Sequence, residues 1–141
     1  THLIKILSEV AVGKREKIFI FGNDYKTKDG TAIRDYIHVS DLADIHLEVS
    51  KHLVNFKKSE IFNCGYGRGY SVLEVINAAN KITGNKIKFE YAPRRPGDAE
   101  KLISNVNKLN RHINWKPKFD DLDYIIKTAI SWEKKIYEKN F

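Results

Sequence analysis

Residues 17–42, KIFIFGNDYKTKDGTAIRDYIHVSDL, hold the most constraining pattern in the chain. Ile18–Phe21 is a short apolar run bounded by Gly22, and it reads as a strand. A polar excursion follows. Asp29-Gly30 marks a turn in it, because glycine takes positive φ at no steric cost. Ile33 to Val39 reads as a second extended piece, with Tyr36, Ile37, His38 and Val39 in alternation. Ser40 then opens a helix as its N-cap, with Asp41 favourable at the positive helix end. Arg34 lies in the half-buried piece, directly before Asp35. A cation there needs an anion, from the protein or from a ligand, so Arg34 is a candidate binding residue.

Around this stretch the pattern is alternately helical and extended. Leu3, Ile4, Leu7, Val10 and Ala11 have helical spacing within residues 1–12, and Gly13 supplies a stop. The helix from Ser40 carries an apolar stripe of Leu42, Ile45, His46, Val49 and Leu53. Glu60–Cys64 is a strand candidate that runs into Gly65-Tyr66-Gly67-Arg68-Gly69-Tyr70-Ser71 and then a helix. Strand, glycine loop and helix are the setting of a dinucleotide-binding turn. The spacing here is Gly-x-Gly-x-Gly, however, and Tyr70 fills the place of the last glycine. No complete βαβ unit with a suitably placed acidic residue follows. Ser71 and Glu74 instead form a capping box, and the loop reads as a tight structural connection.

Val72, Val75, Ile76, Ala79 and Ile82 predict a helix ended near Gly84, and Ile87–Tyr91 a strand. Then comes Ala92-Pro93-Arg94-Arg95-Pro96-Gly97-Asp98. Two prolines and a glycine stiffen a loop that holds two adjacent arginines. Guanidinium matches phosphate bidentately and stays charged at any working pH, and a stiff loop loses less entropy on binding. A surface basic pair is the alternative, and Arg94 reads as structural. Asn105–His112 reads as a short helix capped by Asn105. Leu122, Ile125, Ile126, Ala129, Ile130 and Glu133 form a closing amphipathic helix. His38 and His46 have no His or carboxylate cluster at ligand spacing and read as structural.

Totals remove several classes of function. The 141 residues suffice for one domain with a core. The single cysteine, Cys64, excludes an internal disulfide framework and a cysteine-cluster zinc site, and suits a reduced, cytoplasmic setting. No apolar run is long enough for a membrane span. The formal charge of +7 suggests anionic partners. Of the 25 cations only six are arginines, and the other 19 are lysines spread along the chain. That pattern describes a solvated surface, and no nucleic-acid motif accompanies it.

IFGNDYKTKDGTAIRDYIHVSDLAD closely resembles the carboxyl-terminal half of the UDP-glucose 4-epimerase family, and YAPRRPGD at Tyr91–Asp98 resembles its nucleotide-binding loop. The resemblance runs from His2 to Trp132 in one register. It implies an α/β fold: the carboxyl-terminal, substrate-binding part of an extended short-chain dehydrogenase/reductase (Rossmann-type), with a small mixed sheet and helices. It assigns the uridine wall to His2, Leu3, Phe19 and Phe21. Bases stack on aromatic rings, although each phenylalanine taken singly also suits a core. The resemblance places Arg34 and Arg95 on the diphosphate and Asp98 on a ribose hydroxyl. Leu102 falls where the family shapes its hexose pocket. Leucine is smaller than the tyrosine of glucose/galactose-restricted forms, which implies tolerance of N-acetylated sugars. Lys5 stands where the family usually has proline.

The family's reaction removes and returns a hydride at sugar carbon 4, using bound NAD and a Tyr-x-x-x-Lys base. Tyr25, Tyr36, Tyr66, Tyr70, Tyr91 and Tyr124 have no lysine at the fourth place after them. Residues 1–141 therefore read as the UDP-sugar-binding region of a longer homodimeric enzyme. Its NAD-binding Rossmann domain lies elsewhere, and residues 40–64 are expected to pack back on it, exposing Leu42, Ile45 or Val49 in this chain alone. Self-association of the isolated chain would follow. A non-catalytic half that binds UDP-sugar or a partner chain without turnover is the alternative. A related nucleotide-sugar dehydratase or decarboxylase fits less well, because DGT-x-x-RDYIHV resembles the epimerase more closely.

Overall fold

A computed structural model describes residues 2–57 and 59–139, Phe56 by its backbone alone. Helix α1 (Leu3–Ala11) buries Ile4, Leu7 and Ser8; Thr1, included in the predicted helix, lies outside the described residues. Strand β1 (Ile18–Phe21) alternates strictly, with Ile18 and Ile20 buried and Phe19 and Phe21 outward, as the period of two requires. β2 is Ile33–Arg34, α2 Val39–Phe56, β3 Tyr70–Ser71 and α3 Val72–Thr83. β4 is Phe89–Ala92, β5 Lys101–Leu102, α4 Asn107–His112 and α5 Leu122–Glu138.

β1 pairs in parallel with β4, Ile18 opposite Phe89 and Phe21 opposite Ala92. A second, mixed sheet has β2 at its centre, antiparallel to β3 and parallel to β5. The expected α/β class with a small mixed sheet is thus the observed one. The main core joins Ile4 and Leu7 of α1, Ile18 and Ile20 of β1, Val75, Ile76 and Ala79 of α3, and Ile125 and Ile126 of α5. Each of the larger aliphatic side chains among them, fully buried, contributes about 1.5–3 kcal/mol. A smaller cluster gathers Ile45, Leu109 and Ile113.

Several local expectations change. β2 ends at Arg34, and α2 begins at Val39 with His38, not Ser40, as its N-cap. The imidazole Nδ1 of His38 accepts from the Ser40 amide at 3.1 Å, which does the work expected of a serine. Asp41 is fully buried. It accepts from the amides of Lys118 and Phe119 and from the Tyr66 hydroxyl, a far larger role than its helix-end position implied. Residues 60–64 form no strand: Ile61 is 85% exposed, and its carbonyl accepts from Lys108 Nζ at 2.9 Å. Asn105 is displaced by Val106 as the N-cap of α4, although its side chain still accepts from the Asn107 amide. On α2, Ile45 is buried in the small cluster while Leu42 and Val49 are half-buried, so the exposed apolar residues are Val39, Leu47 and Val54.

The Ser71–Glu74 capping box forms in full, and Gly84 closes α3 in the left-handed region. His38 is buried, with Nε2 3.1 Å from the Thr128 hydroxyl, and His46 bonds the Leu42 carbonyl of its own helix. Among the described residues no helix is long and apolar enough to cross a membrane, and no group of three or more His, Cys, Asp or Glu side chains could hold a metal ion.

α1 is fastened to α5 by charge as well as by apolar packing. Glu133 is 1% exposed and takes both Lys5 Nζ and Lys14 Nζ. The hydrogen bond from Lys5 lowers its carboxyl below the ordinary value, outweighing the burial that raises it. A carboxylate shifted this way adds stability that is complete above its unfolded value and is lost as pH falls through the folded one. Glu133→Gln should therefore cost about 1–3 kcal/mol at pH 7. Urea melts across pH should show that difference closing below about pH 4.

Candidate functional site

The polar excursion between β1 and β2 is a built structure. Gly30 has φ +77°, and a Cβ there would stand 2.2 Å from the Asn23 carbonyl oxygen, so the turn requires glycine. The Asp29 carboxylate accepts from the Thr31 amide and hydroxyl and from the Ser71 hydroxyl. Burial alone would raise this carboxyl, but those bonds outweigh it and hold it below the usual range.

A cavity of about 570 Å³ opens between the start of α1, the outer face of β1, β2 and the loop after β4. Seven of the eight residues expected at the site line it: His2, Leu3, Phe19, Phe21, Arg34, Arg95 and Asp98. Helix entry supplies the first two, the outward face of β1 the phenylalanines, and the central strand of the mixed sheet Arg34. Leu102 is not among the lining residues. It lies on β5 directly beside Arg34 in parallel register and is 63% exposed.

The cationic end is already paired. Arg95 Nε lies 2.8 Å from Asp98 Oδ2, and its guanidinium carbon sits 4.6 Å from the centre of the Phe21 ring. Arg34 Nη2 approaches Asp98 Oδ1 at 3.8 Å, while its Nη1 donates to the Ile33 carbonyl. The anion of Arg34 is therefore Asp98, sixty-four residues away, and not its neighbour Asp35. Asp35 is consumed by the amides of Tyr66, Gly67 and Ser104. Tyr36, buried beside Arg34, also lines the cavity and meets His2 edge-on at 6.1 Å. Burial pushes its hydroxyl up to about 12, so it stays neutral at physiological pH.

Lys17 and Arg15 line the cavity as well and were not anticipated. Lys17 shares its strand face with Phe19 and Phe21 at a spacing of two, which is a signal legible in the sequence. Its Nζ lies 5.5 Å from the Phe19 ring centre and 2.7 Å from Glu90. Arg15 follows a helix in an irregular segment, bound to Glu9, and no periodicity announces it.

The glycine loop at residues 65–69 does not fit a dinucleotide. A Cβ on Gly65 would stand 2.5 Å from Asp35 Oδ2, and one on Gly69 2.5 Å from Ile33 Cγ2. The amides of Tyr66 and Gly67 that face inward are taken by the Asp35 carboxylate, leaving no cradle for a pyrophosphate. The loop is the tight connection that its spacing predicts.

The family profile for GDP-mannose 4,6 dehydratase matches residues 1–128. The UDP-glucose 4-epimerase of Azospirillum brasilense is 46% identical over 136 residues, 96% of this chain and 39% of that protein. The structure of the UDP-Glc/GlcNAc 4-epimerase of Campylobacter jejuni superposes with a TM-score of 0.82 at 52% identity, over 94% of this chain and 40% of its own. That of the UDP-glucose 4-epimerase of Stenotrophomonas maltophila, with bound NAD and formylated UDP-arabinopyranose, gives 0.92 at 34% identity, over 99% and 41%. The chain spans about two fifths of the length of the relatives it matches. It belongs to the GDP-mannose 4,6 dehydratase family of extended short-chain dehydrogenase/reductase proteins, and its relatives there are UDP-glucose 4-epimerases.

Proposed function

We propose that this chain is the UDP-clamping part of a UDP-glucose 4-epimerase. One observation carries the proposal: an apolar aromatic wall and two arginines from distant segments converge on a single cavity. The uracil stacks on Phe19 and Phe21, enclosed by His2 and Leu3. The diphosphate lies between Arg34 and Arg95, and Asp98 turns from the guanidinium groups to accept from a ribose hydroxyl. Planar forks recognise phosphate oxygens bidentately, and the aromatic wall recognises the base face.

The hydride chemistry at sugar carbon 4, interconverting UDP-glucose and UDP-galactose, belongs to NAD held by another part of a longer, homodimeric, cytoplasmic enzyme. The described residues offer NAD no fitting loop, and this chain alone is proposed to be inactive. Its contribution is to anchor the nucleotide while the hexose turns. Exposed Val39, Leu47, Val54 and Ile61 support the packing of residues 40–64 on that other part. The same residues predict self-association of the chain alone by light scattering; a clean monomer at high concentration counts against it.

Calorimetric titration tests the clamp. UDP should bind this chain, and Arg34→Ala or Arg95→Ala should each weaken it by roughly 10–100-fold, the equivalent of about 1.5–3 kcal/mol per charged hydrogen bond. Unchanged affinity in both variants would overturn the assignment. In the complete enzyme, Leu102→Tyr should abolish turnover of UDP-N-acetylglucosamine while sparing UDP-glucose; its exposed place beside Arg34 leaves open space for a larger sugar substituent.

A further inference from the structure

Arg94 and Arg95 are adjacent in one loop and turn opposite ways. Arg95 faces the cavity. Arg94 does not line it and reaches instead onto the excursion after β1. Its Nε lies 2.6 Å from Asp24 Oδ1, and its Nη2 donates to the Asp24 carbonyl. Its guanidinium carbon stands 4.0 Å from the centre of the Tyr25 ring, closer than any other cation–ring approach among the described residues. Tyr25 is 4% exposed, so the guanidinium covers a buried ring.

The packing at this point leaves no slack. Gly22, at φ +89°, separates the two side chains: a Cβ there would stand 2.6 Å from Tyr25 Cε2 and 2.7 Å from Arg94 Cγ. The Gly22 amide donates to the Ala92 carbonyl, which carries the β1–β4 ladder up to the loop. Beyond the loop, the Glu100 carboxylate accepts from the Lys26 amide at 2.8 Å. The segment that presents Arg95 is thus fastened to the excursion on both sides. Pro93 and Pro96 make the segment stiff, but a stiff loop aims its arginine only if its seat is fixed.

We propose that Arg94, seated on Asp24 and Tyr25, is a positioning residue that sets Arg95 against the cavity; this rests on the assignment of Arg95 to the diphosphate. The ion pair with Asp24 is solvent-exposed and contributes little by itself. The planar stack on Tyr25 and the bond to the Asp24 carbonyl carry the effect together, and lysine, with one donor nitrogen and no planar face, cannot make both at once. The Tyr25 hydroxyl is buried without a hydrogen-bond partner, so the ring and not the hydroxyl forms the seat.

The test is UDP titration of the complete enzyme and its variants, with melting temperatures in parallel. Arg94→Ala and Arg94→Lys should each weaken UDP about tenfold, the factor carried by 1.4 kcal/mol, and Arg94→Lys, whose aliphatic stem still covers Tyr25, should do so while melting as the parent does. Tyr25→Phe should bind as the parent does. In the Arg95→Ala background, Arg94→Ala should change nothing further, since its effect passes through Arg95. Parent-like affinity in Arg94→Ala, or an equal loss with and without Arg95, would overturn the positioning role. Parent-like affinity in Arg95→Ala would instead remove the diphosphate assignment, and the inference with it.

Discussion

The parallel pairing of Ile18–Phe21 with Phe89–Ala92 is the constraint on which the rest of the structure depends. Parallel strands cannot be joined by a short turn, so β2, α2, β3 and α3 together make the crossover. Alternation along β1 then divides the chain's chemistry. Ile18 and Ile20 close onto α1, α3 and α5, while Phe19 and Phe21 line the cavity. Because the strands run the same way, the loops leaving their carboxyl ends start side by side. Those loops are the excursion with Asp24 and Tyr25 and the segment with Arg94 and Arg95. Open α/β sheets characteristically bind ligands outside their carboxyl ends, and the cavity lies against β1 and the loop that leaves β4.

Charge is distributed economically around that cavity. A half-buried guanidinium without an anion is costly; Arg34 is half-buried here, and the more exposed Arg95 faces the same space. Asp98 answers both, at 2.8 Å from Arg95 and 3.8 Å from Arg34. Asp35, nearer Arg34 in sequence, is spent on three backbone amides around the glycine loop. That division keeps the glycine loop closed and leaves Asp98 as the only carboxylate held by both arginines among the described residues.

Much of this was legible in the sequence, and what was not has physical reasons. The apolar run Ile18–Phe21 marked a strand, although its composition does not say which face turns inward, and the Ser71–Glu74 spacing marked the start of α3. Both signals are local. Residues 60–64 had strand composition but no neighbour to pair with, and pairing is a tertiary fact that composition does not carry. The cap of α2 went to His38 because an imidazole nitrogen accepts as a serine oxygen does, an option that propensity ranks low. Seven of the residues named by resemblance line one cavity, whereas spacing alone singled out only Arg34 and the Arg94–Arg95 pair. Arg15 escaped because an irregular segment has no period to read.

Under the proposed reading, nucleotide contacts and sugar contacts would bear differently on catalysis. Arg34, Arg95 and the phenylalanines would touch groups that do not change between the ground state and the transition state of a reaction at the sugar. Such contacts bind both states equally and lower KM without raising kcat. They raise the rate of the chemical step only where they restrict the orientation of the reacting sugar. A clamp of this kind must be rigid on the nucleotide and permissive beyond it. The aromatic and arginine side of the cavity is braced by Asp24, Tyr25 and Glu100, while Leu102, next to Arg34 but outside the cavity lining, stands exposed with no such brace among the described residues.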